Sequence, residues 1–177
     1  MFIIVGVLVV ISIVFILMSF KFSSDFILKK YYMNGTSMQP TLKEGDRFVV
    51  SSEYYKNHEV LRGDLVLFHP SINPKKMFVK RVIALSGELF EIKNSKIYIN
   101  NVETMKIGDL KFSDDAISLK TDCSIRIPKG SVFVLGDNID NSYDSRAFGP
   151  IKIKDIKGKI RAIYFSTDLK KVGKRFN

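Results

Sequence analysis

Residues 77–88 read "MFVKRVIALSGE", and the fold turns on whether this run is a strand. Its Val and Ile content, its alternation and the turn-like "SGE" that closes it argue for a strand. With a period of two, Phe78, Lys80, Val82 and Ala84 share one face, and Val79, Arg81, Ile83 and Leu85 share the other. Each otherwise apolar face therefore carries one cation. A lysine so placed either snorkels its ammonium to water or is desolvated and loses its preference for charge. An arginine buried on the other face requires a partner. Alternation alone does not say which cation is functional.

Working outward, "RFVVSS" (47–52), "DLVLFHP" (64–70), "SVFVLGDN" (131–138) and "KDIKGKIRAIYF" (154–165) read as further strands, while "LFEIKNSKIYINN" (89–101) reads as a hairpin around Asn94 and Ser95. Residues 53–63 are a short helix or a loop, 71–76 and 136–149 are loops, and 102–130 carry little pattern. Short strands with frequent turn signals predict a mostly β chain, with an all-β body of the barrel or sandwich kind. The expected organisation is an N-terminal segment at 1–20, a linker at 21–30, a β body from 31–88 and 131–166, a small excursion at 89–130 and a disordered basic tail at 167–177.

The first twenty residues, "MFIIVGVLVVISIVFILMSF", hold no charged side chain, and an apolar run of ~18 or more reads as a transmembrane helix. A cleaved secretory signal would want a basic n-region, a shorter apolar core and a small-x-small site. "FKFSSDF" offers none of these, so the segment reads as a retained anchor. Lys21, Lys29 and Lys30 follow it, a bias that by itself places the body in the cytoplasm. The net charge of +10 rests on 21 Lys and 7 Arg with no interleaved aromatic-basic motif. That pattern favours a lipid surface over nucleic acid. Cys123 stands alone, so no intrachain disulfide forms, and His58 and His69 are too few for a standard structural zinc site.

"NGTSMQPTL" (34–42) places Ser37 in turn material. A serine hydroxyl needs a base to become a nucleophile. Neither histidine has an orienting carboxylate signal and Gly-x-Ser-x-Gly is absent, which disfavours a Ser-His-Asp triad. A lysine base must be neutral near pH 7, so its pKa of ~10.4 has to fall by desolvation. "GDNIDNSYDSRAFG" (136–149) is explained by default as a solvated turn, yet Ser142, Asp144 and Arg146 could supply a hydroxyl to a neutral lysine and a carboxylate to a guanidinium.

Taken in order, "GTSMQPTL" around Ser37, "RGDLVLF", "KRVIALSGE" from Lys80 and "GDNIDNSYDSRAFG" from Gly136 resemble the membrane-bound type I signal peptidases. The resemblance implies a barrel-like body and serine-lysine endopeptidase activity on preproteins bearing signal peptides, without metal or cofactor. Ser37 would be the acylated nucleophile and Lys80 its general base. Ser142 would hydrogen-bond the lysine amine, and Asp144, Arg146 and Arg81 would form an ion-paired support. The oxyanion donors would be backbone N–H groups at Ser37 and Gly35, since glycine stands where some members place a serine hydroxyl. Met38 and Phe78, beside the reactive pair, are the expected substrate-binding positions, with 31–35 and 77–80 as edges for an extended substrate. Ser86, where the family often has proline, is expected to loosen a turn. Lysine at position 80 points to the bacterial cell membrane, or to an organellar inner membrane, and family topology places the body outside the cytoplasm, against the charge bias.

Overall fold

The computed structural model describes residues 11–12, 27–94, 96–103 and 122–176. The expected anchor at 1–20 thus lies outside the described residues except for Ile11 and Ser12. Among the described residues no helix is long and apolar enough to cross a membrane.

The strands are β1 (Leu28–Tyr32), β2 (Arg47–Ser51), β3 (Leu65–Phe68), β4 (Phe78–Ala84), β5 (Leu89–Lys93), β6 (Lys96–Ile99), β7 (Val102–Glu103), β8 (Cys123–Arg126), β9 (Ser131–Leu135), β10 (Ile151–Lys152) and β11 (Ile156–Phe165). Two single-turn helices, α1 (Tyr54–Asn57) and α2 (Ser145–Phe148), interrupt them. A seven-stranded half-barrel sheet runs β1-β2-β11-β3-β4-β9-β10, and a second sheet runs β7-β6-β5-β8.

β3, "LVLF", is buried along its whole length because the large sheet is covered on both faces. Leu65 and Leu67 enter a cluster with Phe48, Val50, Val79 and Ile163, whereas Val66 and Phe68 enter another with Val82, Val132 and Val134. β4 follows the same alternation through Val82. A register shift between Val82 and Ala84 then breaks the phase, so Ala84 packs with Ile83 rather than on the Val82 face. That third cluster joins the sheets: Ile83, Ala84, Phe133 and Leu135 meet Phe90, Ile92, Ile97 and Ile99 of the small one. The Phe90 and Phe133 rings stack at 4.1 Å between centroids.

Several local expectations change. The strand after the linker begins at Leu28, so Leu28–Lys30 are sheet rather than linker. Residues 136–149 contain α2, because Asp144 caps it by accepting from the Arg146 backbone N–H. Ser86 does not loosen its turn: its hydroxyl accepts the Gly130 N–H at 2.9 Å, supplying a bond that proline could not make. The basic tail is folded, since Phe176 packs against the core containing Phe48 and its N–H donates to Arg161 O at 2.8 Å. Ala162 and Arg175 form a bridge on β11, at residues beyond its pairing with β3, which ends at Lys159. The tail takes over that edge.

Candidate functional site

Lys80 sits opposite Val66 of β3, while β9 pairs with β4 only from Arg81 onward. The lysine side chain is 3% exposed. Its Nζ lies 2.7 Å from Ser37 Oγ, hydrogen bonded to it, and 5.5 Å from the centre of the Phe78 ring. Burial pushes the lysine pKa down from 10.5 to about 8; the carboxylates of Asp144 and Asp137 pull it partly back, and Arg146 opposes them. The physical cause is desolvation, since no carboxylate bonds the amine among the described residues.

Ser37 opens a tight turn. Thr36 O accepts the Gln39 N–H at 3.0 Å and Met38 O accepts the Leu42 N–H at 2.8 Å. Met38 and Leu42, joined by that second bond, are both fully buried in the core. Met38 is therefore a core anchor of the Ser37 turn and does not line the cleft, where the sequence reading had placed it. The loop after β9 lies across the turn: the Asn138 N–H donates to Ser37 O at 3.1 Å, and the Asn138 and Asn141 amides donate to Thr36 O and Thr36 Oγ1. Gly35, at φ +90°, is required by its left-handed backbone. Its N–H points to Glu44 Oε1 at 3.4 Å, so it is engaged rather than free.

The ion-paired support differs from the expected one. Arg81 pairs with Asp137, not with Asp144: Nε–Oδ1 is 2.7 Å and Nη2–Oδ2 is 2.6 Å. Leu135 stands opposite Arg81 across the ladder, and a residue two further along β9 returns to the same side. That residue is Asp137. The Thr41 hydroxyl donates to the same carboxylate, tying the nucleophile's turn to the residue beside Lys80. Asp144 and Arg146 form a separate bidentate pair at 2.8 Å on both oxygens. The Gly136 N–H also donates to Asp144, at 3.0 Å. Ser142 Oγ is buried and has no partner among the described residues; it does not bond Lys80 here.

Asp137 was the missed residue, and its signal was its position just past a strand that pairs with β4. Asp137→Ala is expected to cost about 3–5 kcal/mol of stability, because it leaves Arg81 buried without a counter-charge. Chemical denaturation checks this, and a loss below about 1 kcal/mol would contradict the pairing.

A cleft of about 630 Å³ opens over Ser37 and Lys80, walled by Tyr31, Tyr32, Phe78 and Tyr143. Among the described residues no group of His, Cys, Asp or Glu is gathered to hold a metal ion.

The fold of this sheet recurs among solved structures. The crystal structure of a signal peptidase I from Enterococcus faecalis V583 superposes with a TM-score of 0.50 at 29% identity, over 58% of this chain and 97% of that one. The chain belongs to the family described as signal peptidase, peptidase S26, whose model matches residues 4–165. Signal peptidase I of Bacillus caldolyticus is 35% identical over 149 residues, covering 79% of this chain and 81% of the relative. Signal peptidase IB of Staphylococcus aureus strain COL is 36% identical over 155 residues, covering 76% of each. The reaction of the family is the cleavage of signal peptides from preproteins.

Proposed function

We propose that the chain is a membrane-anchored signal peptidase in which Ser37 and Lys80 act as a catalytic dyad. The 2.7 Å approach of Lys80 Nζ to Ser37 Oγ on a buried strand carries this reading. The neutral amine takes the hydroxyl proton as Oγ attacks the scissile carbonyl, and then gives it to the departing amine of the mature chain. In the second half-reaction the amine, neutral again, removes a proton from the water that hydrolyses the ester. The Ser37 backbone N–H is the proposed oxyanion donor. Ser142, buried and unpartnered, accepts from the lysine amine once Ser37 is acylated. The Asp144–Arg146 pair fixes the loop that carries Ser142, and Arg81 is held through Asp137.

Substrate enters as an extended strand. β9 leaves the edge of Phe78–Lys80 unpaired, and backbone along this edge and along 31–35 borders the cleft. The charge-free residues 1–20 supply the anchor. A few residues later the outer face of β1, β2 and β11 exposes Leu28, Tyr32 and Phe165. Lys30 lies over the Tyr164 ring and Arg47 over that of Phe165. Aromatic residues mixed with cations suit a headgroup layer, which supports seating the body, comprising residues 31–88 and 131–166, on the outer leaflet of a bacterial cell membrane.

The pH profile tests the dyad. With the lysine pKa lowered to about 8, the amine is mostly protonated below that pH and neutral above it. Cleavage of a secretory preprotein by the purified full-length protein is expected to rise about tenfold per pH unit on the acid side and to level off above about 8. A profile flat from pH 5 to 10 would sink the lysine base.

A further inference from the structure

We propose that the C-terminal segment Asp168–Phe176 positions the nucleophile, with Lys171 as its direct contact. This rests on the reading of Ser37 given above. The segment lies beyond the family match, which ends at residue 165, yet it reaches the back of the catalytic turn. Lys171 Nζ donates to Pro40 O and, at 3.2 Å, to Thr41 O. Asp46 Oδ2 stands 3.7 Å from the same ammonium. Both carbonyls belong to the turn that carries Ser37. A lysine ammonium, with three donors and a full charge, satisfies both at once.

Four further contacts keep the lysine in place. Asp168 caps the turn Leu169–Lys171 by accepting the Lys170 N–H. Backbone bonds join Ile163 N to Lys174 O at 3.0 Å and Gly173 N to Ile163 O at 2.9 Å. Phe176 is packed into the same core cluster as Met38 and Leu42. On the other side of the turn, Ser166 Oγ donates to Asp46 Oδ1 at 2.6 Å, and Asp46 Oδ2 in turn accepts the Lys43 N–H at 2.8 Å. By contrast the Lys43–Asp168 ion pair, 45% and 34% exposed, contributes little.

The turn carrying Ser37 is therefore clamped from two sides. Thr41 is held through its hydroxyl by Asp137, on the Lys80 side, and through its carbonyl by Lys171, from behind. Releasing one clamp lets the turn shift relative to Lys80. A displacement of about 1 Å between reacting groups costs up to a hundredfold in rate.

The test uses the full-length protein, a secretory preprotein and the variants Lys171→Met and Lys171→Arg, with Ser37→Ala as the blank. Lys171→Met should lower kcat by about tenfold with KM within about twofold of wild type, because the cleft itself is untouched. Lys171→Arg, which retains charge and donors, should recover most of that loss. Amide exchange followed by NMR should show the Gln39 and Leu42 N–H groups, both bonded inside the turn, exchanging about tenfold faster in Lys171→Met. Amides of β3 and β4 should keep their wild-type rates.

Wild-type kcat and wild-type exchange in Lys171→Met would overturn the proposal. So would exchange accelerated equally in β3 and β4, which would make the residue a general stabiliser. A wild-type protein that leaves the preprotein intact would defeat the dyad, while the exchange comparison would still decide whether Lys171 holds the turn.

Discussion

Ser37→Ala and Lys80→Ala should each abolish processing of a signal-peptide-bearing preprotein, with kcat/KM falling by at least about 10⁴-fold. The two losses should be nearly equal and should not add in the double variant, since a hydroxyl without a base and a base without a hydroxyl are equally inert. In the proposed mechanism Lys80 serves as base in both half-reactions, so no step survives its removal. The stability effect should run the other way. Lys80 is buried without a bonded carboxylate, and taking an amine out of water is unfavourable. Lys80→Met, close in volume, should therefore unfold at the same temperature as wild type or higher while remaining inactive. Residual processing above 1% of wild type in either alanine variant, or a large drop in melting temperature for Lys80→Met, would contradict the assignment.

Gly136→Ala should also be damaging, though it touches no reacting atom. A Cβ at this position would lie 2.4 Å from Ser37 O and 2.2 Å from Ser142 Oγ. Neither distance is tolerable, and one of the opposing atoms is backbone. The loop after β9 must then lift from the nucleophile's turn, stretching the bond from the Asn138 N–H to Ser37 O. Overpacking of this kind costs about 1–3 kcal/mol in stability. The misplacement of Ser37 should cost about a hundredfold in kcat. Near-normal turnover by Gly136→Ala would show that the two loops do not pack as described.

The placement of the two cations of β4 was legible in the sequence because period-two alternation is local. It put Lys80 and Arg81 on opposite faces of one strand, and both are buried there. The partner of Arg81 was not legible, because the residue facing it is chosen by the β4–β9 register, across more than fifty positions of chain. Asp144 looked suitable by spacing from Ser142 and Arg146, but the Arg146 guanidinium bonds both its oxygens. Met38 misled for a different reason. Adjacency to Ser37 suggested the cleft, whereas the side chain packs into the core with Leu42 and Phe48. The tail misled by composition: "KKVGKRFN" reads as solvated charge, and only contacts far away in sequence show what Lys171 and Phe176 meet.

Neighbouring positions on β4 hold a lysine whose burial favours its neutral form and an arginine that stays charged, one on each side of the sheet. A strand's side chains change sides with every one-residue step. A single-residue deletion between Phe78 and Lys80 would thus present a guanidinium to Ser37, a group that cannot give up its proton, and a single-residue insertion there would bury an ammonium against Asp137. Length variation among relatives should therefore gather in the connection at 71–76 and be absent from 78–81. The spacing of this strand is as much a requirement of the chemistry as the identity of its lysine.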